Sequence, residues 1–224
     1  MPEYRLTYLI GRGLTEASRL VLHYAGQPFE DVQLDRWEFA EKKSSEFSSI
    51  LRLVVSASGF PNGQLPLLEW TGEGGRHQLS QSGAIVRFLA REFGLDGRTN
   101  EEAARAEEIW SFFYDRDREA MPFYLIFLGK ADGDLEEARE KIFVPVARRS
   151  LQHYERLIAA SENGFLLPSG VTYADFAVVE HLTTIFFHLP ALRSEHPALA
   201  EYVERVHGLE PIAEYVKNRP KDGC

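Results

Sequence analysis

The feature that most constrains this chain is a change of hydrophobic period near residue 95. Before it, short runs with apolar groups on one or both faces alternate with helical spacing. After it, strand-like runs disappear and helical spacing continues to the end. Tyr4 to Ile10 reads as a central strand, ended by Gly11 and Gly13. Ala17, Leu20, Val21 and Tyr24 then follow the i, i+3, i+4, i+7 pattern of a helix, with Thr15 as its expected N-cap and Gly26 as its stop. Phe29 to Leu34 reads as a second strand, completing a βαβ unit of right-handed crossover. The segment from Asp35 to Asn62 is irregular, and its Leu51 to Val55 patch has no assignment. Gly63 to Trp70 and Arg76 to Leu79 flank the turn Thr71 to Gly75 as an antiparallel hairpin, and a helix starts at Ser82. The spacing predicts further helices over 101–127, 135–161, 173–188, 197–208 and 211–217. The expected organisation is an α/β domain of βαβ-ββα order over 1–94, a linker over 95–99 and an all-α helical bundle over 100–224.

Composition narrows the partners. Twenty-five basic against 34 acidic residues give a net charge of −9, and no run of Lys or Arg is long enough to make a local basic patch. Phosphate backbones and anionic lipids would be repelled, so nucleic acid and membrane surfaces are not expected partners. The most apolar stretch, Phe176 to Leu192, is interrupted by Glu180, His181, His188 and Pro190, and reads as a buried helix. The single cysteine, Cys224, excludes an internal disulfide and any cysteine-based metal site. With no signal peptide legible at the N-terminus, the expected location is cytoplasmic.

Several motifs could carry chemistry. Gly11-Arg12-Gly13 between strand and helix matches half of a dinucleotide fingerprint, but Glu16 occupies the third glycine position and would set a carboxylate against a pyrophosphate. Turn glycines are the better reading. Pro66 belongs at a strand start because it cannot donate to a ladder, and a cis bond there would turn the Leu65 backbone toward a ligand. Gln81-Ser82-Gly83 puts a hydroxyl and free N–H groups at a helix start, an arrangement suited to a carboxylate. Tyr8, at the end of the first strand beside the glycine turn, is placed at the rim where ligands of open sheets collect. His181 and His188 share a helix face without a third ligand, so no metal is expected. Asp115 and Asp117, with Arg116 and Arg118, read as a solvated helix face. No hydrolase elbow is present.

Taken together, Tyr4-Arg-Leu-Thr-Tyr8, Gly11-Arg-Gly13, Gln64-Leu-Pro66, Gln81-Ser82-Gly-Ala-Ile85 and Val171-Thr-Tyr-Ala-Asp175-Phe176 resemble the cytosolic glutathione transferases, most of all the sigma class with its prostaglandin D synthase-like members. The resemblance implies a thioredoxin-like N-terminal domain, an all-helical C-terminal domain, a homodimer, and glutathione as co-substrate, without a metal. It also implies conjugation of the glutathione thiolate to apolar electrophiles in detoxification. Its alternatives are a glutathione-dependent isomerase or peroxidase, or a non-enzymatic, crystallin-like relative. By the same resemblance, Tyr8 activates the glutathione thiol, and Arg12 and Gln64 belong to the glutathione site. Trp37 and Lys42 or Lys43 hold the glycine carboxylate. Leu65, before Pro66, pairs with the cysteinyl peptide. Gln81 and Ser82 grip the γ-glutamyl group, which Asp115 of the partner subunit also reaches. Leu9, Leu14, Met121 and Tyr124 line the electrophile pocket, and Thr172 with Asp175 forms a buried helix cap. Three departures from the family pattern stand out: the long stretch 44–62, Leu14 where a polar or basic residue is common, and Gln64 where lysine is common.

Overall fold

The computed structural model describes residues 4–34 and 64–220. Trp37, Lys42, Lys43 and the stretch 44–62 lie outside the described residues. Contacts gather in two units, Met1–Phe93 and Gly94–Cys224.

The first unit is built on a four-stranded sheet, with β1 (Tyr4–Leu9), β2 (Phe29–Leu34), β3 (Leu67–Gly72) and β4 (Gly75–Ser80) in the order β2-β1-β3-β4. β1 runs parallel to β2 and antiparallel to β3, which forms a hairpin with β4. This is the mixed sheet of a thioredoxin-like domain. Tyr4, Leu6 and Thr7 of β1 are buried, as expected for an interior strand. The hairpin turn is tighter than its sequence suggests: Thr71 and Gly72 continue β3, leaving Glu73 and Gly74 as the tip. Helix α1 (Glu16–Tyr24) follows a single 3-10 turn, Gly13–Thr15, and helix α2 is Ser82–Glu92. Leu20, Val21 and Leu22 of α1 and Ile85, Val86 and Leu89 of α2 have no exposed surface and form the core of this unit. At about 25 cal/mol per Å² of apolar area, such side chains each contribute roughly 1.5–3 kcal/mol.

Thr15 does sit before α1, but its hydroxyl makes no capping bond. Its backbone is already helical (φ −98°, ψ −17°), so the oxygen cannot reach the N–H groups that an extended cap would meet.

The second unit is helical. It contains α3 (Asn100–Phe127), α4 (Leu135–Ala138), a π-helical turn (Arg139–Phe143) and α5 (Val144–Ala159). These are followed by α6 (Tyr173–His188), α7 (Pro190–Glu195), α8 (Pro197–His207) and α9 (Glu210–Asn218). Sequence spacing merges 135–161 into one helix and misses α7, whose six residues are too few to show a period. Leu95, read as linker, is buried, and its carbonyl accepts the Tyr173 N–H within this unit.

Helix α6 is buried from Tyr173 to Leu182, where Phe176, Val178, Val179 and Leu182 are inaccessible, in keeping with its nearly continuous apolar sequence; towards its C-terminus Thr183 and Thr184 are half-buried and Phe187 is exposed. Thr172 and Asp175 close a capping box at its start. Asp175 Oδ2 accepts the Thr172 N–H (2.9 Å) and hydroxyl (3.1 Å), while Oδ1 accepts the Leu166 N–H (2.9 Å) and the Tyr202 hydroxyl (2.8 Å). Among the described residues, no helix is long and apolar enough to cross a membrane.

Candidate glutathione site on the thioredoxin-like unit

Strand register decides which motifs meet. Thr7 of β1 pairs with Leu67 of β3, and Leu67 pairs with Ser80 of β4. One step beyond this line lie Tyr8, Pro66 and Gln81. Three motifs far apart in the sequence therefore share one end of the sheet, the end where β1 gives way to the Gly11–Gly13 loop.

Each motif is locally distinctive. The Leu65–Pro66 peptide is cis. Pro66 is buried, while Leu65 is half-buried at the mouth of β3. Gln81 has φ 77° and ψ 115°, the one non-glycine residue with positive φ among those described. A side chain held in that region costs on the order of 1–3 kcal/mol and persists where its surroundings impose it. Here Gln81 links β4 directly to α2, and its Nε2 donates to Gln64 Oε1 at 2.8 Å. Ser82 opens α2 and is buried, at the helix end whose N–H groups favour an anion.

The Tyr8 ring is half-buried and lies against Gly13. The loop between them is tied from beneath. Arg19 of α1, buried at 1% exposure, donates from Nη1 to the Gly11 carbonyl (2.8 Å) and to Glu16 Oε2 (3.1 Å), and from Nε to Asp31 of β2 (3.1 Å). Glu16, which excludes a dinucleotide reading, is thus a buried ion-pair partner. Sequence reasoning misses this network. Arg19 and Glu16 share a helix face at i, i+3, but nothing local signals Asp31. Arg12 is also buried, while Leu9 and Leu14 are half-buried on either side of the loop.

The remaining expected residues lie on α3 of the helical unit. Asp115 is exposed, Met121 half-buried, and Tyr124 buried against the rings of Phe123, Phe143 and His188. The solvated face expected for Asp115 and Asp117 holds only for the first. Two positions along a helix is about 200° of rotation, so the pair cannot share a face. Loss of water pushes the Asp117 carboxyl up to about 6, with Arg118 opposing. Nearby, the buried His181 shares a hydrogen bond between its Nδ1 and the Tyr154 hydroxyl (2.8 Å), and burial lowers its ionisation to about 3. Among the described residues, no group of three or more His, Cys, Asp or Glu could hold a metal.

Comparison with known proteins gives the family. Residues 4–91 match the family described as "Glutathione S-transferase, N-terminal domain", and residues 109–219 match "Glutathione S-transferase, C-terminal domain". The chain is 35% identical over 221 residues to Glutathione S-transferase 1 of Ascaris suum, covering 99% of this chain and 98% of that one. Among solved structures, a Nu-class transferase from Haemonchus contortus is 32% identical, with a TM-score of 0.79 and full coverage of both chains. A sigma-class transferase from Fasciola hepatica is 25% identical, with a TM-score of 0.81 and coverage of 100% and 99%. A monomeric transferase from Necator americanus is 28% identical, with a TM-score of 0.81 and coverage of 97% and 98%. With both halves matched and a full-length relative at this identity, the chain belongs to the glutathione S-transferase family.

Proposed function

We propose that this protein is a glutathione transferase that adds the glutathione thiolate to apolar electrophiles, with Tyr8 activating the thiol. The observation that carries the reading is the register line Thr7–Leu67–Ser80, which brings Tyr8, the Leu65–Pro66 step and Gln81–Ser82 to one sheet end. A thiol of pKa about 8.5 is mostly protonated at neutral pH, and the thiolate is the nucleophile. A tyrosine hydroxyl donating to sulfur favours the anion, and each unit of depression requires about 1.4 kcal/mol of preferential stabilisation. Because glutathione supplies the sulfur, the protein needs no cysteine in the site.

The proposed grip on glutathione follows from donor chemistry. Ser82 and the N–H groups opening α2 receive the γ-glutamyl carboxylate, Gln81 and Gln64 flank it, and the Leu65 backbone pairs with the cysteinyl peptide. Trp37 and Lys42 or Lys43 take the glycine carboxylate. Arg12 is buried. Leu9, Leu14, Met121 and Tyr124 are proposed to receive the electrophile.

The protein acts as a cytoplasmic homodimer in this proposal, with Asp115 of the partner subunit reaching the γ-glutamyl amine. The monomeric Necator relative makes sedimentation the direct check, since a monomer removes that role of Asp115. The nu-class structure stands nearer in identity than the sigma-class one, so the sigma likeness is proposed only for the layout of the glutathione site.

The test is retention on immobilised glutathione together with conjugation of an aromatic halide, by wild type and Tyr8→Phe. Wild type is expected to do both, and Tyr8→Phe to bind while losing turnover about tenfold or more. Binding without any wild-type turnover would favour the crystallin-like alternative. Turnover of peroxides or isomerisable substrates in place of the halide would favour the other enzymatic alternatives. A wild-type protein that neither binds nor turns over refutes the proposal.

A further inference from the structure

We propose that Gly13 is a positioning residue for Tyr8: the bare Cα of this loop glycine is the seat against which the tyrosine ring rests, and so it sets where the hydroxyl points. The inference rests on the reading of Tyr8 as the thiol activator and adds the residue that aims it. A Cβ at Gly13 would lie 2.8 Å from Tyr8 Cε1, 3.0 Å from its Oη and 3.3 Å from Cζ. The first of these is closer than carbon atoms approach without one of them moving.

Which partner gives way follows from how each is held. The loop is fixed by the Arg19 bond to the Gly11 carbonyl, and Arg19 is itself locked between Glu16 and Asp31. The ring atoms facing Gly13 are the far end of a side chain that is only half-buried. A methyl group at residue 13 therefore displaces the hydroxyl end of Tyr8 before it displaces the loop. Binding surfaces for glutathione at Leu65, Gln81 and Ser82 belong to other segments and stay in place. The expected signature is a loss of thiol activation with glutathione binding retained.

Gly13 also has φ +44°, so any side chain there carries backbone strain as well as the clash. Gly74, at the β3–β4 tip, has φ +85°, and a methyl group there would meet nothing within 4 Å, so Gly74→Ala reports strain without contact.

The experiment compares wild type, Gly13→Ala, Gly74→Ala, Tyr8→Phe and Tyr8→Phe/Gly13→Ala for retention on immobilised glutathione, conjugation of an aromatic halide, and the pH titration of bound thiolate absorbance. Gly13→Ala is expected to be retained, to lose about tenfold or more in turnover, and to shift the thiolate titration upward by about one unit. Gly74→Ala is expected to match wild type. Adding Gly13→Ala to Tyr8→Phe should change neither turnover nor titration further, because the hydroxyl it displaces is already gone. An unshifted titration in Gly13→Ala, or losses that multiply in the Tyr8→Phe background, overturns the inference while leaving the transferase reading intact. A wild-type protein without binding or turnover removes both. Should Gly13→Ala fail to fold, Tyr8→Leu/Gly13→Ala, in which the ring is absent, is expected to fold. Failure of that variant as well assigns the defect to the loop backbone and refutes the role in seating Tyr8.

Discussion

Replacing Asp175 by alanine tests a fully buried, multiply hydrogen-bonded polar group of the helical unit. Asp175 is completely buried, and its two oxygens accept four hydrogen bonds, from the Thr172 N–H and hydroxyl, the Leu166 N–H and the Tyr202 hydroxyl. Truncation leaves three donors that cannot easily reach water: the two backbone N–H groups and the buried Tyr202 hydroxyl. A buried donor left without a partner costs about 1–3 kcal/mol, and a lost N-cap contributes about 1 kcal/mol. Burial pushes the Asp175 carboxyl above the ordinary carboxylate range even though its donors pull the other way, so alanine also relieves some cost of burying charge. The net expectation is therefore near the low end of the sum, about 3–5 kcal/mol. That is a large share of the roughly 5–15 kcal/mol that holds such a protein folded. Urea unfolding followed by both circular dichroism and tryptophan fluorescence measures it. With a slope of about 2–3 kcal/mol/M, the midpoint should fall by about 1–2 M. Asp175→Asn keeps one carbonyl acceptor and should lose about half as much. A loss below about 1 kcal/mol for alanine, or equal losses for alanine and asparagine, would refute the hydrogen-bond reasoning.

Other expectations can be checked with the same methods. Arg19→Leu removes the buried cation that Glu16, Asp31 and the Gly11 carbonyl share and should destabilise the protein by about 3–5 kcal/mol, with part of the loss recovered in Arg19→Leu/Glu16→Leu; no recovery in the double variant argues against the Arg19–Glu16 ion pair as a contributor. His181, held neutral with its ionisation lowered to about 3 from 6.5, contributes stability above pH 6.5 that is lost as pH falls toward 3, about 2 kcal/mol by pH 5. Asp117, raised to about 6, has the opposite sign and gains stability on acidification, so His181→Asn should flatten the pH dependence between 6.5 and 5 while Asp117→Asn steepens it. Gly97→Ala would set a Cβ 2.7 Å from the Glu102 Cβ at φ +99°, and its melting temperature should fall by several degrees more than that of Gly74→Ala, which carries positive-φ strain without a contact.

Much of the architecture is legible in the residues because secondary structure is a short-range property. Period and punctuation bound strand β2 and helix α6 to the residue, and most of α6 is recognisable as buried because apolar residues dominate its run. Tyr8, Pro66 and Gln81–Ser82 stand out because each breaks a local rule or ends an element. The same locality explains the errors. Thr15 has the residue type of a cap, but its helical backbone turns the hydroxyl inward, and Asp117 looks solvated until the neighbours of α3 are known.

The sequence by itself determined which elements form, where strands give way to helices, and which residues can do thiol chemistry, because these depend on spacings of two to four residues. Only the tertiary structure decided that the three motifs share one sheet end, that Arg19 reaches Asp31 beneath the Gly11–Gly13 loop, and that Gly13 touches the Tyr8 ring. Those relations depend on strand register and on left-handed backbone turns. A shift of one residue in pairing, or a change of sign in one φ, would separate the same side chains without altering the local pattern that makes them conspicuous in the sequence.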